Sequence, residues 1–282
     1  MKIDLHSHTR YSDGHLSPRE LVLRAHSMQV DVLAITDHDT VAGLDEAHTT
    51  QAEQSRPMTL IDGVELSTRW HAFDIHIVGL NVNRQCPGFN EVLRKQAETR
   101  HERAVKIGEK LAKCGFEGVE KYAFGYAAGG QVTRAHYARA LVDHYGVGSM
   151  ANAFGQYLGK GKRAEVKAKW ISIAEAVEAI HAAGGQAVLA HPAHYDMTTK
   201  WLRRLVAEFA AVGGDAMEAA CPGMNPEKQK LVNALVIEHD LLASAGSDFH
   251  FPSRWTELGR RLTLDSALTP VWHDWDCVTA TK

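Results

Sequence analysis

The sequence predicts an α/β barrel. Three observations point there: short β-like runs alternate with helical patterns along most of the chain, several of those runs deliver a histidine or a carboxylate at their carboxyl ends, and the length suits one such domain. At 282 residues and 45% apolar content, the chain can bury one large core.

Apolar runs bounded by turn residues mark β-like segments near residues 2–6, 31–36, 58–64, 74–80, 186–190, 215–219 and 241–245. The first helix is predicted over 17–29, where Ser17-Pro18-Arg19-Glu20 supplies an N-cap, a proline at the first helical position and the glutamate of a capping box. Helical periodicity also covers about 41–54, 88–113, 172–183, 199–212 and 226–239, the alternation expected of a parallel α/β fold. Between about 86 and 169 helical stretches and the Gly129-Gly130 pair replace strands. This segment reads as a helical insertion. Because alternation resumes after it with no linker-like boundary, residues 1–282 are expected to form one domain.

Composition narrows the function. The 31 basic and 34 acidic residues give a net charge of −3, without the field that long duplex nucleic acid requires, so small molecules are the expected partners. Cys86, Cys114, Cys221 and Cys277 show no CxxC spacing, which fits a reducing cytoplasm. No basic and apolar leader follows Met1, and no apolar run approaches the roughly 18 residues of a membrane span, so a cytoplasmic protein is expected. Histidine is over-used, with 17 residues of a side chain that serves metals and proton transfer.

The histidines sit where a barrel builds its site. His6 and His8, at i and i+2 on an extended chain, point to one side. The run 32–36 ends in Asp37-His38-Asp39, 60–64 in Glu65, 187–190 in His191 and 241–246 in Ser247-Asp248-Phe249-His250, while His76 lies on a further apolar strand. With Asp13, the candidate ligands are His6, His8, Asp13, His38, Glu65, His76, His191, Asp248 and His250. These exceed the needs of one ion and suit two or three divalent ions bridged by a carboxylate such as Glu65, as in phosphate ester hydrolysis. Imidazole with abundant carboxylate and no thiolate favours manganese, with zinc, magnesium or iron as alternatives. His26, His48, His101, His181, His239 and His273 lack a strand-end context and read as packing or surface residues.

The segments DLHSHTRYSDG, LAITDHDT, GVELS, DIHIVG, LAHP and SAGSDFH, present in order, make the chain resemble the polymerase and histidinol phosphatase (PHP) family of the amidohydrolase superfamily. The resemblance implies a distorted seven-stranded (β/α) barrel holding two or three divalent ions. Some members carry histidine where this chain has Asp13. In the resembling phosphatases the insertion faces the metals, and the pattern at Thr133-Arg134-Ala135-His136 usually has proline at Ala135. Joined to Tyr11-Ser12-Asp13-Gly14, that segment looks like the family's nucleotide phosphatase branch.

The resulting expectation is removal of the 3′-phosphate from nucleoside 3′,5′-bisphosphates by in-line attack of a metal-bridging hydroxide. His191 or His250 is expected to protonate the leaving oxygen and Asp248 to orient the nucleophile. Ser7, Arg134 and His136 are expected to bind substrate, Arg134 and His136 gripping the remote phosphate at a helix start capped by Thr133. The alternatives are a 5′–3′ exoribonuclease acting on short RNA, a histidinol-phosphate type phosphatase and a non-catalytic metal-binding domain.

Overall fold

A computed structural model describes residues 1–279 of the chain. Its first helix, α1 (Pro18–Ser27), begins as its sequence dictates. The Ser17 hydroxyl accepts from the Glu20 N–H at 3.1 Å, the Glu20 carboxylate accepts from the Ser17 N–H at 2.8 Å, and Leu21, Val22 and Ala25 line the buried face. A second helix, α2 (Leu44–Ala52), packs beside it.

Seven strands lie in sequence order around a nearly closed barrel: β1 (Ile3–Asp4), β2 (Val32–Ile35), β3 (Thr59–Trp70), β4 (Phe73–Leu80), β5 (Gln186–Leu189), β6 (Ala216–Ala220) and β7 (Leu242–Ala245). Closure between the first and last strands comes from single backbone bonds, Leu5 N–H to the Ala245 carbonyl at 2.9 Å and His8 N–H to the Phe249 carbonyl at 2.8 Å. Ile3, Leu5, Val32, Ala34, Ile61 and Val188 belong to one apolar cluster drawn from the strands, with Trp275 from the C-terminal segment packed on it.

One expectation needs correcting. The sheet is not uniformly parallel, because β4 runs antiparallel to both β3 and β5. Strand β3 continues past residue 64 to Trp70, and the chain reverses through His71, which adopts φ 48°. Glu65 therefore sits inside a strand, paired with Val78, rather than at a strand end. The error arises because alternation of apolar and polar residues reads the same in either strand direction.

The outer helices α7 (Ile173–Ala182), α8 (Thr199–Ala211) and α9 (Pro226–Glu238) bury one face each against the strands. Between β4 and β5 the chain forms α3 (Pro87–Ala112), α4 (Val119–Ala127), α5 (Arg134–Tyr145), α6 (Met150–Ala153) and a single π turn at Phe154–Leu158. These elements carry a separate apolar core built on Ile107, Leu111, Val119, Tyr137 and Leu141. A contact near the first ligand loop sets their position on the barrel. The Gln131 N–H donates to the Tyr11 carbonyl at 2.8 Å, and a Cβ at Gly130 would meet that carbonyl at 2.6 Å, so only glycine fits.

Cys86, Cys114 and Cys221 are free thiols, and the Cys277 side chain lies outside the described residues. Among the described residues no helix is long and apolar enough to cross a membrane.

Candidate functional site

Side chains from every part of the barrel's carboxyl end converge on Glu65, which is 1% exposed. Its Oε1 lies 2.9 Å from His76 Nδ1, 3.0 Å from His191 Nε2 and 3.4 Å from His6 Nε2, while its Oε2 lies 2.8 Å from His38 Nδ1 and 3.4 Å from His8 Nε2. Each carboxylate oxygen thus faces its own set of imidazoles, the arrangement of a bridging ligand. His6 and His8 bring their Nε2 atoms within 3.1 Å of each other, and Asp248 Oδ1 stands 3.2 Å from His8 Nε2. Asp13 Oδ1 approaches His250 Nε2 at 3.1 Å and His38 Nε2 at 3.7 Å.

Three groups could hold an ion: His8, Asp13, His38 and His250; His6, His8 and Asp248; and His38, Glu65 and His76. Within each group the donor atoms lie within 4.8 Å of one another. His191 falls in none of them, although its Nε2 shares Glu65 Oε1 with His6 and His76. The fit to metal rests on unmet bonding. Asp13 Oδ1, His38 Nδ1 and Glu65 Oε2 are buried without a hydrogen-bond partner, even though His38 and Glu65 approach to 2.8 Å. Such orphaned groups are costly in a protein interior, and all three belong to residues of the groups that could hold an ion.

The charges respond to this crowding. Burial would raise the Glu65 carboxyl, but His76, His38 and His6 around it hold it well below the usual range. Asp13 and Asp248 are likewise lowered, by His38 and His250 in the first case and by His250 and His6 in the second, in each case against burial. Burial pushes His8 down to about 3, helped by positive His250 and His38, so its ring is neutral and free to ligate. His250 goes the other way: Asp13 and Asp248 overcome its burial and raise it to about 10.

Outside the ligands, buried acids fix ring orientation. Glu218 on β6 receives His6 Nδ1 at 2.6 Å through Oε1 and the His191 N–H at 2.6 Å through Oε2. His8 Nδ1 contacts Ser12 Oγ at 3.2 Å, and Ser12 in turn donates to Asp37 at 2.6 Å. Close packing enforces the geometry, since a Cβ at Gly246 would meet His6 Cβ at 2.3 Å. Asp39, His191 and Asp248 hold left-handed backbones at φ 53°, 31° and 51°, a strain typical of functional sites. Sequence reasoning missed Glu218. Its signal was an acid inside the apolar strand Ala-Met-Glu-Ala-Ala.

The insertion adds a positive pocket. A cavity of about 110 Å³ is lined by Asp13, His38 and His76 on the metal side and by Arg100, Arg103 and Arg134 on the other, with Asp74 3.9 Å from Arg103. Arg100 is held by Asp39 and by Ser67 Oγ at 2.6 Å. Both Arg100 and Arg103 lie over the Trp170 ring, 4.9 and 5.5 Å from its centroid. Burial and the neighbouring charge of Arg134 press Arg103 down to about 10. Arg134 is half-buried beside the Phe154 ring, and among the described residues no carboxylate pairs with it. Its helix starts on a Thr133 cap, whose hydroxyl accepts from the Ala135 N–H at 3.1 Å. Arginine crowding beside a helix amino terminus attracts an anion.

Ser7 and His136, both expected to bind substrate, do not line the arginine cavity. Ser7 is fully buried and donates its hydroxyl to the Ala34 carbonyl at 2.6 Å, because strand alternation turns it away from His6 and His8. His136 does not join Arg134. Two residues along a helix point to nearly opposite sides, so His136 lines a different cavity while its Nδ1 accepts from the Thr133 N–H at 3.0 Å.

Residues 4–188 match the PHP domain. The chain belongs to the PHP family. Over 96–97% of its length it is similar to three curated bacterial proteins. The 5′-3′ exoribonuclease of Haemophilus influenzae is 49% identical, with 96% of this chain and 98% of that protein covered. The 5′-3′ exoribonuclease Rnm of Escherichia coli is 47% identical, with 97% and 93% covered. The 3′,5′-nucleoside bisphosphate phosphatase of Chromobacterium violaceum is 37% identical, with 96% and 95% covered. A solved amidohydrolase structure from Chromobacterium violaceum superposes with a TM-score of 0.90 at 37% identity, covering 96% of this PHP chain and 95% of the other.

Proposed function

We propose that this PHP protein is a metal-dependent phosphoesterase that breaks the phosphorus–O3′ bond beside a nucleoside 5′-phosphate. Short 5′-phosphorylated RNA is its main substrate, and a nucleoside 3′,5′-bisphosphate is the limiting case with no downstream nucleotide. The observation that carries this reading is the arginine cavity opening directly onto the ligand cluster through Asp13, His38 and His76. A substrate with two phosphates one nucleoside apart fits such a pair of sites. One phosphate reacts and the other is gripped.

In both substrates one water adds its oxygen to phosphorus, the phosphorus–O3′ bond breaks and O3′ takes a proton. The released phosphate is free in one case and remains on the downstream O5′ in the other. The sequence alone puts the bisphosphate first and short RNA second. The exoribonuclease relatives at 47% and 49% identity, against 37% for the phosphatase, favour the reverse order.

The ions would be held by His6, His8, Asp13, His38, Glu65, His76, Asp248 and His250, with His191 joining through its approach to the shared Glu65 oxygen. Bound divalent ions, manganese being favoured by the donor set, supply Lewis acidity and a nucleophile at neutral pH. Asp248, whose side chain is 28% exposed against 1% for Glu65, would orient the attacking water. Arg134 and Arg103 anchor the 5′-phosphate and so align the reacting group.

Initial rates test the reading on a short 5′-phosphorylated RNA, its 5′-hydroxyl counterpart, adenosine 3′,5′-bisphosphate, adenosine 5′-monophosphate and histidinol phosphate. The 5′-phosphorylated RNA should exceed its 5′-hydroxyl counterpart in kcat/KM by roughly 10- to 100-fold, the worth of one charged hydrogen bond. Equal rates on the monophosphate or histidinol phosphate would contradict the assignment.

A further inference from the structure

A second cavity, of about 500 Å³, adjoins the ligand cluster. It shares Asp13 and Ala135 with the arginine cavity and also reaches His250, but its remaining wall is different in kind. His15 and Phe251 stack at one side with ring centroids 4.7 Å apart and planes 20° from parallel, and Phe251 is 46% exposed. Tyr126 faces in from α4, beneath the Arg139 guanidinium at 4.1 Å from its ring, and Asp143 accepts from the Tyr126 hydroxyl at 2.6 Å and lies 3.4 Å from Arg139 Nε. Arg10 completes the rim, its nearest carboxylate being Glu46 at 3.7 Å on a half-exposed side chain. The volume falls within the roughly 300–1,000 Å³ of small-molecule sites.

We propose that this cavity is the subsite for the nucleotide downstream of the cleaved bond, its base stacking on Phe251 and its backbone phosphate drawn by Arg10 and Arg139. This rests on the phosphoesterase reading above. With the reacting phosphorus at the ligand cluster and the 5′-phosphate of the departing nucleotide among Arg100, Arg103 and Arg134, the chain still attached to phosphorus leaves by the other opening of the cluster. That opening is lined by Asp13 and His250. An exposed aromatic face beside arginines binds single-stranded nucleic acid by stacking, which every base can supply. A 3′,5′-bisphosphate has nothing to place there. On this reading, occupancy of the cavity is what distinguishes an RNA substrate from a mononucleotide.

The test compares kcat/KM on a 5′-phosphorylated dinucleotide with kcat/KM on adenosine 3′,5′-bisphosphate in the wild-type chain, Phe251→Ala and Arg139→Ala. The ratio of dinucleotide to bisphosphate should fall roughly tenfold in Phe251→Ala, the loss of one stacked base. A wild-type measurement guards against misfolded variants: a dinucleotide lacking its downstream base should be cleaved roughly tenfold less efficiently than the intact one. An unchanged ratio together with indifference to the downstream base overturns the subsite and leaves the phosphoesterase reading standing. Turnover of the bisphosphate with no cleavage of the dinucleotide also overturns it. Failure of both substrates would instead overturn the proposed function.

Discussion

The barrel's carboxyl end and the helical insertion meet at one cleft but solve different problems. The barrel supplies nearly identical donors, imidazoles and carboxylates, fixed by buried acids and left-handed backbone at Asp39, His191 and Asp248. The insertion supplies guanidiniums and aromatic rings from helices that pack on a core of their own. Chemistry needs rigid donor positions, which strand ends give. Recognition needs reach and charge, which arginines on helices give. The two regions should therefore fail differently when altered.

The largest effect is expected at the barrel. Asp248→Asn or His6→Ala should lower kcat by at least about 1,000-fold with a native circular dichroism spectrum, since several kcal/mol of transition-state stabilisation depends on the ligand set. Exhaustive chelation should do the same to the unaltered chain, with manganese restoring activity best. Full turnover without metal would end the metallohydrolase account.

Next comes the joint between the regions. Asp39 accepts both the Arg100 guanidinium from α3 and the Ser67 N–H at 2.8 Å from β3. Removing the carboxylate in Asp39→Ala strands a buried arginine, at a cost of about 3–5 kcal/mol. A thermal melt should show a drop in Tm on the order of 10 °C. A melt within 2 °C of the parent would mean that the pair does not tie α3 to the barrel.

The arginine pocket comes third. Arg134→Ala should cut kcat/KM roughly 10- to 100-fold on 5′-phosphorylated substrates and far less on their 5′-hydroxyl counterparts. Equal losses on both would remove Arg134 from the anchoring role. The smallest effect belongs to Ser7, whose hydroxyl only ties the segment after β1 to Ala34 of β2. Ser7→Ala should cost about 1 kcal/mol of stability and leave kcat/KM within twofold. A tenfold fall would restore Ser7 to the substrate site.

Legibility in the sequence follows the same division. Strand-end placement of His38, His191, Asp248 and His250 was readable because apolar runs and the ligands after them are adjacent in sequence, and the Ser17 capping box announced α1 directly. The antiparallel β4 was not readable, since a strand's direction leaves no mark on its own alternation. Glu218 stayed hidden because its role is to orient His6 and His191 from 212 and 27 residues away. In the insertion, Thr133 and Arg134 were legible as a helix start, whereas Arg100, Arg103 and Trp170 come together only through the packing of α3 against the chain after the π turn. His136, two residues on from Arg134 along the helix, lines the larger cavity and not the arginine cavity.

The division of labour is tested most directly by metal content per chain, measured by plasma mass spectrometry on the purified wild type, Glu65→Gln and Arg134→Ala. The account predicts two or three divalent ions in the wild type, the same number in Arg134→Ala and fewer in Glu65→Gln, because Glu65 would hold metal whereas Arg134 belongs to no group that could. A wild type holding no more than one ion, or an Arg134→Ala chain that loses metal, would contradict it.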